Sequence, residues 1–218
     1  MSDLYGDNHR RLQDQFDSRR LADRLETTIV KQALDAADTA FVSSRDMFFL
    51  STIDHQGRPT LSYKGGDPGF VTIVDDRTIA FPSYDGNGMF LSMGNILGNP
   101  EVGMLFIDFE HPNRLRLQGR ASIQSNDPLL AEYREAELIV RVAIQQAWVN
   151  CPRYIHRYTK QQASRHVPRE HANTPLAEWK RIDAMQEVVP AKDAARVAAE
   201  GSMISPQQYG ELLSRGDI

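Results

Sequence analysis

A single cysteine, Cys151, stands among 218 residues. It excludes an internal disulfide and a thiolate metal cluster, and fits a reducing compartment. Long apolar runs are also missing: no stretch approaches the roughly 18 residues that cross a bilayer. The opening MSDLYGDNHRRLQDQFDSRR is charged where a signal peptide carries its apolar segment. The expectation is a cytoplasmic protein with no membrane partner. Nor is one sign of charge in excess, since 25 Lys and Arg against 29 Asp and Glu leave a net charge of −4. Nucleic acid is not an expected partner, and any basic site has to be local. The six histidines are scattered, with no HExxH or paired-carboxylate arrangement for a metal, and neither a P-loop nor a dinucleotide fingerprint occurs.

What is present suits a folded chain: 41% hydrophobic and 25% charged residues, enough to bury roughly 70% of the unfolded surface. Residues 1–20 alternate acidic and basic groups with little to bury, and are expected to be a flexible arm that orders on a partner. Residues 21–160 are expected to form the main domain, and residues 161–218 a helical extension packed on it. No internal repeat or low-complexity tract appears.

Along the chain, Leu25, Ile29, Ala33, Ala36 and Ala40 recur at helical spacing, predicting a helix within residues 21–41. The period then changes. MFFLSTI is short, aromatic and apolar, and DHQGRP after it is a cluster of turn formers. The same logic predicts strands at 47–53, 60–64, 70–74, 78–82, 102–108, 114–123 and 138–148. Tight connections favour an antiparallel sheet closed into a barrel, with flanking helices, an α+β class in which β dominates. Helices are expected from Asn87, as N-cap, to Gly98-Asn99-Pro100, and from Asp127-Pro128 through Glu137. Residues beyond Cys151 are expected to be mostly helical, with Pro190 leading into a helix stopped by Gly201 and Ser205-Pro206 opening the last one.

Two stretches carry the chemistry. PTLSYKGGDPG places Ser62, Lys64 and Gly65 beside one strand: a hydroxyl donor, a point charge suited to phosphate, and glycines that either admit a ligand to the backbone or shape a bulge and turn. FPSYDGNGMFLSMGN runs from a strand through Ser83 and Asn87 into a helix start, where free N–H groups favour an anion. Ser92 and Asn95, three apart, share one face of that helix. Cys151 is either activated by a helix start or a small buried hydrophobe. The basic run 153–169 is either an anion site or a set of intramolecular ion pairs. Trp148, Trp179 and Tyr154 fit core or interface anchors.

Three quoted stretches together, FFLSTIDHQGRPTLSYKGGDPGFV, IAFPSYDGNGMFLSMGNILGNPEVGMLFIDF and NRLRLQGRASI, resemble the pyridoxamine 5'-phosphate oxidase-like FMN-binding family. The resemblance runs over residues 38–123, and more loosely through AELIVRVAIQQAWVNCPRYIHR. It implies a six-stranded split β-barrel, a homodimer, and FMN held in the grooves between subunits. It places Ser62, Lys64 and Gly65 on the phosphate-binding strand, Phe81, Pro82 and Ser83 on the strand bordering the flavin, and Asn87, Ser92 and Asn95 in the turn and helix near the phosphate. Arg114 and Arg116 fall on the strand approaching the flavin from the dimer side, where Arg116 could equally make a structural ion pair. The sequence departs from the family's oxidase in two ways. That enzyme carries an arginine about where Ser62 stands and a basic residue near Ser92. It also ends in a Trp-Gly, Arg-rich motif, whereas this chain ends MISPQQYGELLSRGDI. The implied function is an FMN-dependent oxidoreductase of a small molecule other than vitamin B6. The alternatives on the same fold are a deazaflavin-dependent reductase, or a flavin- or haem-binding sensor with His55, His111 or His156 as axial ligand.

Overall fold

A computed structural model describes residues 4–216, and the chain divides into two compact units between Gln162 and Ala163. The first unit is built on one antiparallel sheet: β1 (Met47–Ile53), β2 (Pro59–Gly65), β3 (Thr72–Asp75), β4 (Thr78–Tyr84), β5 (Glu101–Asp108), β6 (Asn113–Gln124) and β7 (Ala136–Val149). Their order is β2-β1-β5-β6-β7-β4-β3, so β2 and β3 are free edges. This is a split β-barrel in which the sheet stays open, where full closure was expected, and it has the seven strands that the strand pattern predicts, one more than the resemblance implies.

Alternation builds the core. On β1 the inward residues are Phe48, Leu50 and Thr52, each no more than 1% exposed. Phe48 is the hub: its ring lies 4.9 Å from that of Phe81 on β4, 5.2 Å from Phe106 on β5 and 5.8 Å from Phe70. Pro82 has a strand on one side only: it is in register with Ile139 of β7, while β3 begins at Thr72, opposite Ala80, and does not reach it.

Helices flank the sheet. The predicted helix over 21–41 is two, α2 (Arg19–Ile29) and α3 (Ala36–Ser43), with α1 (Asp7–Gln15) before them. The break occurs because Lys31 pairs its backbone with Ala147 at the end of β7 that β4 leaves open. Asp35 then caps α3. Of the segment expected as an arm, residues 7–15 and 19–20 are helical, and residues 1–3 lie outside the described residues. Ion pairs of Arg10 with Asp23 and of Arg19 with Asp14 hold α1 and α2 while neither buries a residue.

α4 (Leu91–Gly98) packs against β1 and β6. It starts later than predicted: Phe90, in the left-handed conformation (φ 47°), precedes it, and Asn87 caps only a local turn by accepting from the Met89 N–H. The helix expected over 127–137 is a 3-10 turn, Pro128–Ala131, because β7 begins at Ala136 and claims the rest. Residues 151–177 are irregular instead of helical, interrupted by Pro152, Pro168 and Pro175. Cys151 is therefore exposed and outside any helix.

Within the second unit, α5 (Ala191–Glu200) ends at Gly201 in the left-handed conformation and α6 (Pro206–Arg215) starts at a Ser205 capping box. Its interior holds a buried ion pair, Lys180 Nζ to Asp193 Oδ2 at 2.8 Å, beside Glu178, which binds both Arg165 and Arg181. The basic run thus supplies ion pairs: Arg165 here, and Lys160 with Asp46 in the first unit.

Gly119 sits where β6 shifts register against β7, and a Cβ there would meet the Ala143 carbonyl oxygen at 2.4 Å. At Gly103 the nearest atom is Ser51 Cβ, at 3.7 Å. Gly119→Ala is expected to destabilise by about 1–3 kcal/mol, with Gly103→Ala close to neutral, as denaturant titration of both variants will show.

Candidate functional site

The β1–β2 hairpin and the start of α4 enclose the site. β2 inverts the usual pattern: its half-buried positions are Thr60, Ser62 and Lys64, while Leu61 and Tyr63 are 71% and 61% exposed. Polar residues on the sheltered face of a strand need a reason. Here they line a pocket of about 280 Å³ with Ser83, Tyr84, Asn87 and the Met89–Met93 segment. Ser62 Oγ and Ser92 Oγ meet at 3.2 Å across it. With Phe90 offering no side-chain cap, the N–H groups at the start of α4 end the helix at the pocket uncapped.

Two titratable groups with shifted values line the pocket. The Lys64 ammonium has neither an ion pair nor a hydrogen bond among the described residues, and burial alone pulls it below the usual lysine value. Tyr84 is pushed the other way, up to about 12, by burial and then by Tyr133, Asp67 and Glu135. Its phenol keeps its proton and remains a neutral donor on the pocket wall. Met89, Phe90 and Leu91 make an exposed apolar rim.

Of the residues singled out from the sequence, Ser62, Lys64, Ser83, Asn87 and Ser92 come together in this pocket. The others do not. Phe81 has its side chain in the core, and Pro82 is buried beside it. Gly65 lies against the Tyr63 ring, where a Cβ would meet Cε1 at 2.8 Å. Asn95 is buried behind the pocket, bonded to Thr52 and Thr60. Arg114 reaches the Cys151 carbonyl through Nη2 while its buried Nε has no partner. Arg116 makes no ion pair among the described residues and lines a separate apolar groove of about 430 Å³ with Phe49, Leu61, Leu105 and Trp148. Thr60 and Tyr84 went unnoticed in the sequence. Thr60 continues the alternation of Ser62 and Lys64, and Tyr84 directly follows Ser83, so both were within reach of the strand pattern.

A family model described as "Pyridoxamine 5'-phosphate oxidase" matches residues 34–167, well over half of the chain. The chain belongs to the pyridoxamine 5'-phosphate oxidase family. The family region thus takes in every strand of the sheet, α3, α4 and the pocket. No curated protein matches the chain. Among solved structures, it is similar to a putative pyridoxamine 5'-phosphate oxidase from Lactobacillus delbrueckii, with 17% identity over 54% of this chain and 95% of that one, and a TM-score of 0.45. The heme storage protein HutZ from Vibrio cholerae is 18% identical over 54% and 94%, with a TM-score of 0.41. An FAD-binding protein from Mesorhizobium loti is 12% identical over 56% and 99%, with a TM-score of 0.39. Among the described residues, His55, His111 and His156 are exposed and outside the pocket, no group of three or more His, Cys, Asp and Glu could hold a metal, and no helix is long and apolar enough to cross a membrane.

A lysine whose folded value is depressed makes the protonated protein less stable than its unfolded reference would imply, and the deficit disappears as pH rises towards the unfolded lysine value. Lys64→Met is therefore expected to melt higher than the wild type at pH 7 without ligand, by a margin that narrows towards about pH 10. In a near-ultraviolet titration carried to about pH 12, Tyr84→Phe is expected to remove a phenolate that appears only at the alkaline end.

Proposed function

We propose that this pocket holds the phosphate end of FMN and that the protein is an FMN-dependent oxidoreductase of a small molecule. The observation that carries the reading is Lys64, a half-buried cation without a counter-charge, beside two hydroxyls and an uncapped helix start. That donor set fits a phosphate monoester. Lys64 would neutralise it, Ser62 and Ser92 would each donate a hydrogen bond, and the N–H groups opening α4 would face the remaining oxygen. The serines take the places where the family's oxidase carries basic residues, so the anion here is held more by donors and less by charge. Bound FMN supplies two-electron redox chemistry, which leaves the protein to bind, orient and exclude water. Tyr84 holds its proton and offers a donor on the wall next to the apolar rim.

The opposite face of β2 supports a homodimer. Leu61 and Tyr63 are exposed beside the groove of Phe49, Leu105 and Trp148, and an apolar surface of this kind on a soluble chain is suited to a second copy.

The test is the visible spectrum of the protein purified without added cofactor, followed by FMN titration. A yellow protein, or one that takes up FMN, is expected. One that is colourless and takes up none overturns the reading. Lys64→Ala is expected to weaken FMN by about 10- to 100-fold, as loss of one charged hydrogen bond does, while riboflavin, which has no phosphate, binds as to the wild type. Equal FMN affinity in the variant would remove Lys64 from the phosphate site.

A further inference from the structure

Asn95 does not reach the pocket, yet its contacts explain how the pocket is held together. Thr52 is 1% exposed among apolar inward residues, and Asn95 is 9% exposed. Asn95 Nδ2 donates to Thr52 Oγ1 at 3.0 Å and to Thr60 Oγ1 at 3.1 Å. The two hydroxyls, on residues paired across the hairpin, meet at 2.7 Å, and Thr60 Oγ1 lies 3.3 Å from the Thr52 carbonyl.

Counting protons fixes the orientation. If the amide oxygen faced the threonines, two hydroxyl protons would have to serve three side-chain contacts, and one of them would have no donor. With the NH₂ facing them, all four contacts have one proton each. Thr60 gives its proton to the Thr52 carbonyl, and Thr52 gives its own to Thr60.

Thr60 and Ser62 lie on one face of β2, and Ser92 and Asn95 on one face of α4, so the helix meets the strand at two rungs. The deep rung is Asn95 with Thr52 and Thr60. The shallow rung is Ser92 with Ser62, at the pocket. We infer that Asn95 and Thr52 are positioning residues: their buried rung sets the seat of α4 on the β1–β2 hairpin and so aligns Ser92 and the helix start with Lys64. This rests on the phosphate reading above, which it extends from the residues that touch the anion to those that place them.

The decisive variants are Thr52→Val, which removes a hydroxyl without touching the pocket, and Asn95→Leu. Ile96→Val, a core truncation on the same helix, serves as the stability control. The readout is the ratio of riboflavin to FMN dissociation constants, which isolates the phosphate. Both rung variants are expected to lower that ratio by about tenfold through misplacement of the donors, with riboflavin affinity nearly constant, while Ile96→Val lowers the melting temperature and leaves the ratio alone. An unchanged ratio in Thr52→Val and Asn95→Leu overturns the inference. A wild type that binds FMN no better than riboflavin overturns the phosphate reading instead. In that case hydrogen exchange decides the positioning role: the Gly94 amide, which donates to the Phe90 carbonyl at 2.7 Å, is expected to exchange faster in the rung variants than in Ile96→Val at matched stability. Equal exchange overturns the inference.

Discussion

A hydroxyl buried among phenylalanines and leucines has to be matched, since an orphaned one is worth about 1–3 kcal/mol of lost stability. Thr52 sits in that position on β1, directly after Phe48 and Leu50 in the inward row. Its partners come from two different elements, β2 through Thr60 and α4 through Asn95. The requirement to satisfy one side chain therefore draws a helix onto a hairpin. The aromatic cluster around Phe48 fixes the sheet beneath, and the polar rung fixes what lies on top of it. The pocket is the space left where those two layers diverge towards Lys64.

Much of the sheet was legible in the sequence because each strand has its own alternation and turn. Met47–Ile53 is recognisable without any neighbour, and the other six strands differ from the residues expected by one or two positions at most ends. Where reading failed, a distant partner had overridden a local pattern. Nothing near Lys31 announces that it will pair with Ala147, so one helix was expected where the chain makes two. Asn87 has the chemistry of an N-cap but spends it on a turn, and the helix begins behind a left-handed Phe90. Residues 128–135 have helical composition, yet β7 starts at Ala136.

The candidate site was legible in part for the same reason. Ser62, Lys64 and Ser92 could be recognised by residue type, and the structure adds that their surroundings leave Lys64 without a counter-charge. Asn95 was recognisable as polar on the right helix face, but its role depended on Thr52, a residue 43 positions away. Family membership rests on residues 34–167. The second unit, with its buried Lys180–Asp193 pair, lies almost wholly outside that region.

β2 is also a free edge of the sheet. Unpaired backbone groups along an edge invite another strand, more so when the outward side chains are as apolar as Leu61 and Tyr63. Two features of β2 oppose that invitation: Pro59, which lacks an N–H, at its start, and Lys64, which carries the strand's only charge, near its end. The lysine suited to an anion thus doubles as a gatekeeper against strand stacking. A chain that loses it would keep only Pro59 to blunt an apolar edge strand.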